Sequence, residues 1–328
     1  MAAMHKILVT YSPYAQAKLD SDYAASLAQL PDGKGKRRGV AFGTRVAENL
    51  IRLRDGDGRD APILFTQRPG PGVWRPTPPM FAPMIDPLAG LRDAAAGPKP
   101  HPVRPTGTAK AHLGPLHPRL QRGEGAWLGR VDRPYPSPDR HRAVLLRPGQ
   151  RPVPGHVRDQ VSVRHLDLVD AARMFAAADM SAADTIISVW HAKYVDGFWR
   201  PSTAINLADT DGNPATDPDP SWVPLRPDPA YPEYPSGYNG FAAAVTRALE
   251  NLFHTRRLQL TVTSTAVPGV QRHYDSGGAL RRDVVDGRMW LGVHFRFADT
   301  AARDMGIRLA DWTLDHYFQP LHGHGQAG

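Results

Sequence analysis

Lys193-Tyr-Val-Asp-Gly-Phe-Trp-Arg200-Pro201 is the stretch around which the chain is organised. Just upstream, Ile186, Val189, Trp190 and Lys193 fall at i, i+3, i+4 and i+7, the spacing of one helix face. A lysine on an apolar face must reach out to water or meet an anion. Arg200 comes two helical turns after Lys193, on the same side, just before a proline that ends a helix. Taken alone, the stretch is served at least as well by a snorkelling lysine and a surface arginine.

Two later pieces carry groups of the same kind. Pro235-Ser236-Gly237-Tyr238 precedes a helix expected from Asn239. The first N–H groups of a helix lack internal partners and carry partial positive charge, which suits an oxyanion. Plain N-capping by Ser236 is the competing reading. The third piece is Arg288-Met-Trp-Leu-Gly292-Val-His294, placed within a helix spanning 279–297. On a continuous helix Arg288 and His294 point about 120° apart, and long side chains still reach one pocket. A helix-borne histidine is also common as a satisfied core residue. Gly292 allows close approach to this helix.

Outward from these pieces the pattern is helical. Residues 14–30 present Ala15, Leu19, Tyr23, Leu27 and Leu30, and 38–54 present Val40, Val46 and Leu50. Helices follow over 157–179, from Ser181 (with Asp184 as a capping box), over 239–253, 279–297 and 300–318. A Thr-rich run at 260–265 is extended. Met305, Leu309, Trp312 and His316 form the last apolar stripe. The ordered parts are expected to be all-α.

Residues 97–153 break the pattern: Pro, Arg, His and Gly dominate without periodicity. Such a composition buries too little apolar surface to offset the entropy of ordering. A disordered insertion, a basic tether for an acidic partner and a stretch translated in the wrong frame all stay open. The expected organisation is a helical part over 1–96, this irregular segment, a helical catalytic core over 154–320 and a flexible tail over 321–328.

Totals exclude several function classes. The 328 residues contain no cysteine, so disulfides and Cys-based metal sites are absent. Residues 92–151 carry 12 Lys/Arg against 4 Asp/Glu, which accounts for the whole net charge of +8. That charge is confined to the irregular segment, has few interleaved aromatics and lies in no recognised nucleic-acid module, so no nucleic acid is expected. No apolar run approaches a membrane span. The start is too short and polar for a signal peptide, which leaves the compartment unknown and cytoplasmic by default.

Joined in order, the three pieces resemble the vanadium haloperoxidase and type 2 phosphatidic acid phosphatase superfamily, in its bacterial haloperoxidase-like branch. The family motifs K-x6-RP, PSGH and SR-x5-H-x3-D meet Lys193-x6-Arg200-Pro201, Pro235-Ser236-Gly237-Tyr238 and Gly287-Arg288-x5-His294. Framing sequence agrees too: Phe198-Trp-Arg-Pro-Ser-Thr-Ala-Ile205, Tyr231-Pro-Glu-Tyr-Pro-Ser-Gly237 and Leu291-Gly-Val-His-Phe-Arg-Phe-Ala-Asp299. The resemblance implies a helical bundle and a site for vanadate, or for phosphate of the same tetrahedral form. It implies Lys193, Arg200 and Arg288 on the equatorial oxygens, Ser236 and Gly237 completing the cradle, and His294 bonded axially to vanadium. Hydrogen peroxide and halide would then be the substrates. The alternative is a phosphate ester cleaved through a phospho-histidine at His294, or a relative that has lost catalysis. Homo-oligomerisation is compatible with either.

Two departures bear on turnover. Tyr238 stands where the family has its acid–base histidine, and a phenol titrating near 10 is a poor base at neutral pH. The motif aspartate position holds Ala298, with Asp299 one residue late, and Gly287 replaces the motif serine. On a continuous helix Asp299 would point about 140° from His294 and would be free to cap the last helix.

Overall fold

A computed structural model describes residues 1–58, 64–85, 153–263 and 270–319. The chain forms two compact units, Met1–Gly58 and Arg59–Gly328. Of the irregular segment expected over 97–153, all but Val153, which begins a helix, falls outside the described residues, as does the tail 321–328.

The first unit holds α1 (Ala2–Tyr11), a short 3-10 turn, α2 (Gln16–Ala28) and α3 (Lys34–Leu53). The expectation for 38–54 finds its helix but misjudges its inner face: Val46 and Leu50 are 44% and 42% exposed, and Ala47 is fully buried. The reason is close backbone approach. A Cβ on Gly43 would lie 3.1 Å from the Ala3 nitrogen, so α1 seats on the small residues Gly43 and Ala47 rather than on the branched ones. Leu30, expected inward, is exposed.

The second unit contains α4 (Val153–Val163), α5 (Leu168–Asp196), α6 (Pro201–Asn206), α7 (Gly237–Leu252), β1 (Arg257–Thr263), β2 (Gln271–Ser276), α8 (Gly277–Trp290) and α9 (Arg296–His316). It is an all-α bundle with one antiparallel β1–β2 hairpin. The extended reading of 260–265 meets β1 over 260–263, its last two residues lie outside the described residues, and the partner strand had no expectation.

Where the sequence suggested two helices meeting at Ser181, there is one 29-residue helix, α5. Ser181 lies in its interior, buried, with Oγ donating to the Ala177 carbonyl at 2.8 Å. Serine bonded to the carbonyl four residues back is accommodated in a helix interior at a small cost. Asp167 takes the cap instead, accepting from the Asp170 N–H at 2.8 Å. At the other end Gly197 adopts φ +55° and donates its N–H to the Lys193 carbonyl. A side chain there would meet the Gln67 amide, which donates to the carbonyls of Tyr194 and Val195. The last turn of α5 is therefore finished by residues from 64–85, whose Val73 and Trp74 pair with Phe198 and Gly197.

Helix α7 is central, packed on α9, α5 and α8. It presents Ala242, Ala243, Ala244 and Ala248, all buried. Against α9 the backbones nearly touch: a Cβ on Gly306 would be 2.3 Å from the Gly240 carbonyl oxygen. The largest apolar cluster joins Met174 and Ala182 of α5, Val245 and Leu249 of α7, Leu258 and Leu260 of β1, and Leu280 and Val284 of α8. The final stripe is also rotated from expectation. Met305 and Leu309 are buried, but Trp312 stacks outside on His316, and Ala310 and Leu314 face inward instead.

The expectation of a helix over 279–297 is overturned. α8 stops at Trp290, and Gly292 turns the chain with φ +74°. A Cβ at Gly292 would lie 2.8 Å from Trp222, so glycine is required twice over, for the turn and for the packing. His294 sits in the connection between α8 and α9, and the angle argued on a continuous helix does not apply.

Candidate oxyanion site

Lys193 occupies the last turn of α5 and is fully buried. It does not snorkel. Its Nζ donates to the carbonyls of Pro232 at 2.7 Å and Glu233 at 2.9 Å. The ammonium also lies 4.9 Å from the Tyr231 ring centre. Burial first, and then the Arg200 charge, press its pKa well down, while Glu233 opposes.

Arg200 is also fully buried and is the residue before α6. All five of its N–H groups have protein acceptors. Nε and Nη2 donate to the Tyr231 carbonyl at 3.1 and 2.8 Å, and Nη2 reaches the Pro229 carbonyl at 3.4 Å. Nη1 donates to the Val293 carbonyl at 2.8 Å and faces His294 Nε2 at 3.4 Å. An oxyanion gripped by Arg200 would have to replace one of the longer two contacts.

Arg288, on the last turn of α8, is 7% exposed, and its buried Nε has no acceptor. Its guanidinium lies 5.8 Å from the Tyr238 ring centre. Burial lowers its pKa, and Arg200 adds to the effect. A buried donor without an acceptor, beside two other buried cations, is the environment a polyoxyanion satisfies.

Ser236 is the N-cap residue of α7, but its hydroxyl makes no cap bond. The capping alternative fails, and Oγ instead accepts from Asn239 Nδ2 at 3.2 Å. The same amide donates to Asp299 Oδ1 at 2.7 Å. Gly237 starts α7 beneath Trp190, where a Cβ would come within 2.8 Å of the indole. Tyr238 is half-buried and packs on the main apolar cluster, and burial raises its pKa further from the neutral range.

His294 is 2% exposed. Burial, then Arg200, Arg288 and Lys193, hold its pKa well below the usual histidine range. Its Nδ1 lies 2.8 Å from Glu233 Oε1. Glu233 is the functional group sequence reasoning missed. Fully buried, it also accepts the Phe295 N–H at 2.9 Å, and burial pushes its pKa up to about 8. Its only signal was an acid placed among Tyr and Pro in Tyr231-Pro-Glu-Tyr-Pro235. Asp299 caps nothing: it lies in the first turn of α9, fully buried, and burial pushes it up to about 7 against the pull of Ser236, Arg288 and Asn239.

Comparison with known proteins bears on the fold that carries this arrangement. Residues 173–323 match the family described as the VCPO second helical-bundle domain. The vanadium chloroperoxidase of Curvularia inaequalis is 29% identical over 184 residues, covering 42% of this chain. The match spans only 30% of that relative's length. Among solved structures, the first bacterial vanadium-dependent iodoperoxidase superposes with a TM-score of 0.68 at 23% identity, over 93% of this chain and 75% of that one. A holo-type bacterial vanadium-dependent chloroperoxidase gives 0.70 at 17% identity, over 96% and 80%. No helix among the described residues is long and apolar enough to cross a membrane. The chain has the fold of the vanadium haloperoxidases, and its bundle at residues 173–323 matches the model of their second helical-bundle domain, in agreement with the superfamily its three motifs resemble.

Proposed function

We propose that the chain binds vanadate at this site and acts as a haloperoxidase, with hydrogen peroxide and halide as substrates. The observation that carries the reading is the burial of Lys193 and Arg200, from one segment, and Arg288, from another far along the chain, around His294, with Arg288 Nε lacking an acceptor. Lys193, Arg200 and Arg288 would hold the oxyanion, with Ser236 and Gly237 at the start of α7. His294 would be the metal ligand through Nε2, the ring nitrogen turned toward Arg200. When bound, vanadate supplies a Lewis-acidic centre that activates peroxide toward halide. The chain's own part is to neutralise the anion, exclude water and keep His294 unprotonated. Burial of every cation serves all three, since charge interactions strengthen where water is excluded.

A phosphate ester fits the same tetrahedral cradle, with His294 as nucleophile, and is the second reading. Tyr238 favours a third, anion binding without rapid turnover, because a phenol of raised pKa is a poor proton acceptor at neutral pH. Orthovanadate titration by calorimetry, with phenol bromination and aryl phosphate hydrolysis measured in parallel, separates the three. Vanadate-dependent bromination is the expected result. Hydrolysis without bromination selects the phosphatase, and tight binding without either activity selects the third. Absence of orthovanadate binding would overturn the site.

A further inference from the structure

The contacts of His294 assign its tautomer. Arginine has only donors, so the nitrogen facing Arg200 Nη1 at 3.4 Å must offer a lone pair. A neutral imidazole has one proton, which therefore sits on Nδ1 and is donated to Glu233 Oε1 at 2.8 Å. The assignment holds whichever charge the carboxyl carries, because Arg200 can never accept.

Glu233 is held to do this. Its own N–H donates to the Phe198 carbonyl at 2.8 Å, and its carbonyl accepts from Lys193 Nζ at 2.9 Å. Its side chain meets His294 and the Phe295 N–H. One residue thus ties the first motif, through the main chain, to the third, through the carboxyl. Asp299, next to the position where the motif carries its aspartate, is engaged with Asn239 instead.

We propose that Glu233 is the positioning residue for His294, locking the Nδ1–H tautomer so that the Nε2 lone pair faces a bound oxyanion. This rests on the oxyanion reading for its purpose, but its geometry is testable without any ligand. Long-range proton–nitrogen NMR on the full, 15N-histidine-labelled chain reads the tautomer, with His294 signals identified by their loss in His294→Ala. The wild type is expected to show a protonated Nδ1 and a bare Nε2. Glu233→Gln keeps an acceptor oxygen and should keep that tautomer. Glu233→Ala, or Glu233→Met where the smaller side chain prevents folding, strands the Nδ1 proton and frees the ring to turn away from Arg200, and should move the proton toward Nε2. These two variants should also weaken orthovanadate binding by about 10–100-fold, as loss of an outer ligand partner does. A wild-type proton on Nε2, or an unchanged tautomer in both the Ala and Met variants, overturns the proposal. If the tautomer shifts as expected and the wild type binds no orthovanadate, the positioning role stands and the oxyanion reading falls.

Discussion

Tyr238 is the residue at which the proposed turnover is put to the test. Its ring lies beside the Arg288 guanidinium and against the main apolar cluster, and burial holds its phenol protonated, so it is ill suited to accept a proton. A positioned acid–base group contributes about 10²–10⁴ in rate. Tyr238→His is therefore expected to raise vanadate-dependent bromination by about 10²-fold or more, measured as kcat. An unchanged kcat would mean that proton transfer at this position does not limit the reaction. The types of the cationic residues were readable because motif spacing preserves them. Glu233 was not, because its partner His294 is 61 residues away and only the folded loop unites them.

At the scale of elements, the turn after α8 determines where His294 goes. Gly292→Ala is expected to destabilise the fold by about 1–3 kcal/mol, from the left-handed backbone and the clash with Trp222, and to lower orthovanadate affinity as His294 shifts. Thermal unfolding and calorimetry on the same variant check both parts. The long helix α5 offers a cleaner test. Asp167→Ala removes its cap at the end distant in sequence from Lys193 and should cost about 0.5–2 kcal/mol in denaturant unfolding, with oxyanion binding retained. Helix existence was legible from period and composition, and boundaries were not. The serine at 181 carries the cap signature, yet Asp167 caps the helix, because serine in a helix interior is satisfied by its own backbone.

For the whole molecule, the second unit buries an ionisable cluster, and stability must depend on pH through it. Asp299 has a folded pKa raised from 3.8 to about 7. The unfolded chain loses that proton first, so Asp299 destabilises the fold as pH rises from about 4 through 7. Asp299→Asn keeps a carbonyl for Asn239 and removes the titration. Its stability relative to wild type should improve steadily between pH 4 and 8, read from denaturant midpoints at constant ionic strength, and a flat difference would count against the shift. His294, lowered, works in the opposite sense below its ordinary pKa and cancels from this comparison. Residue types, their order along the chain and helical periodicity were enough for the bundle and for the cationic set, since both are written in local spacing. The break at Gly292, the hairpin, the inner faces of α3 and α9 and the Glu233–His294 pair arise from contacts between segments far apart in sequence. Close packing of small residues and the need to satisfy buried polar groups settle those, and neither has a local signature.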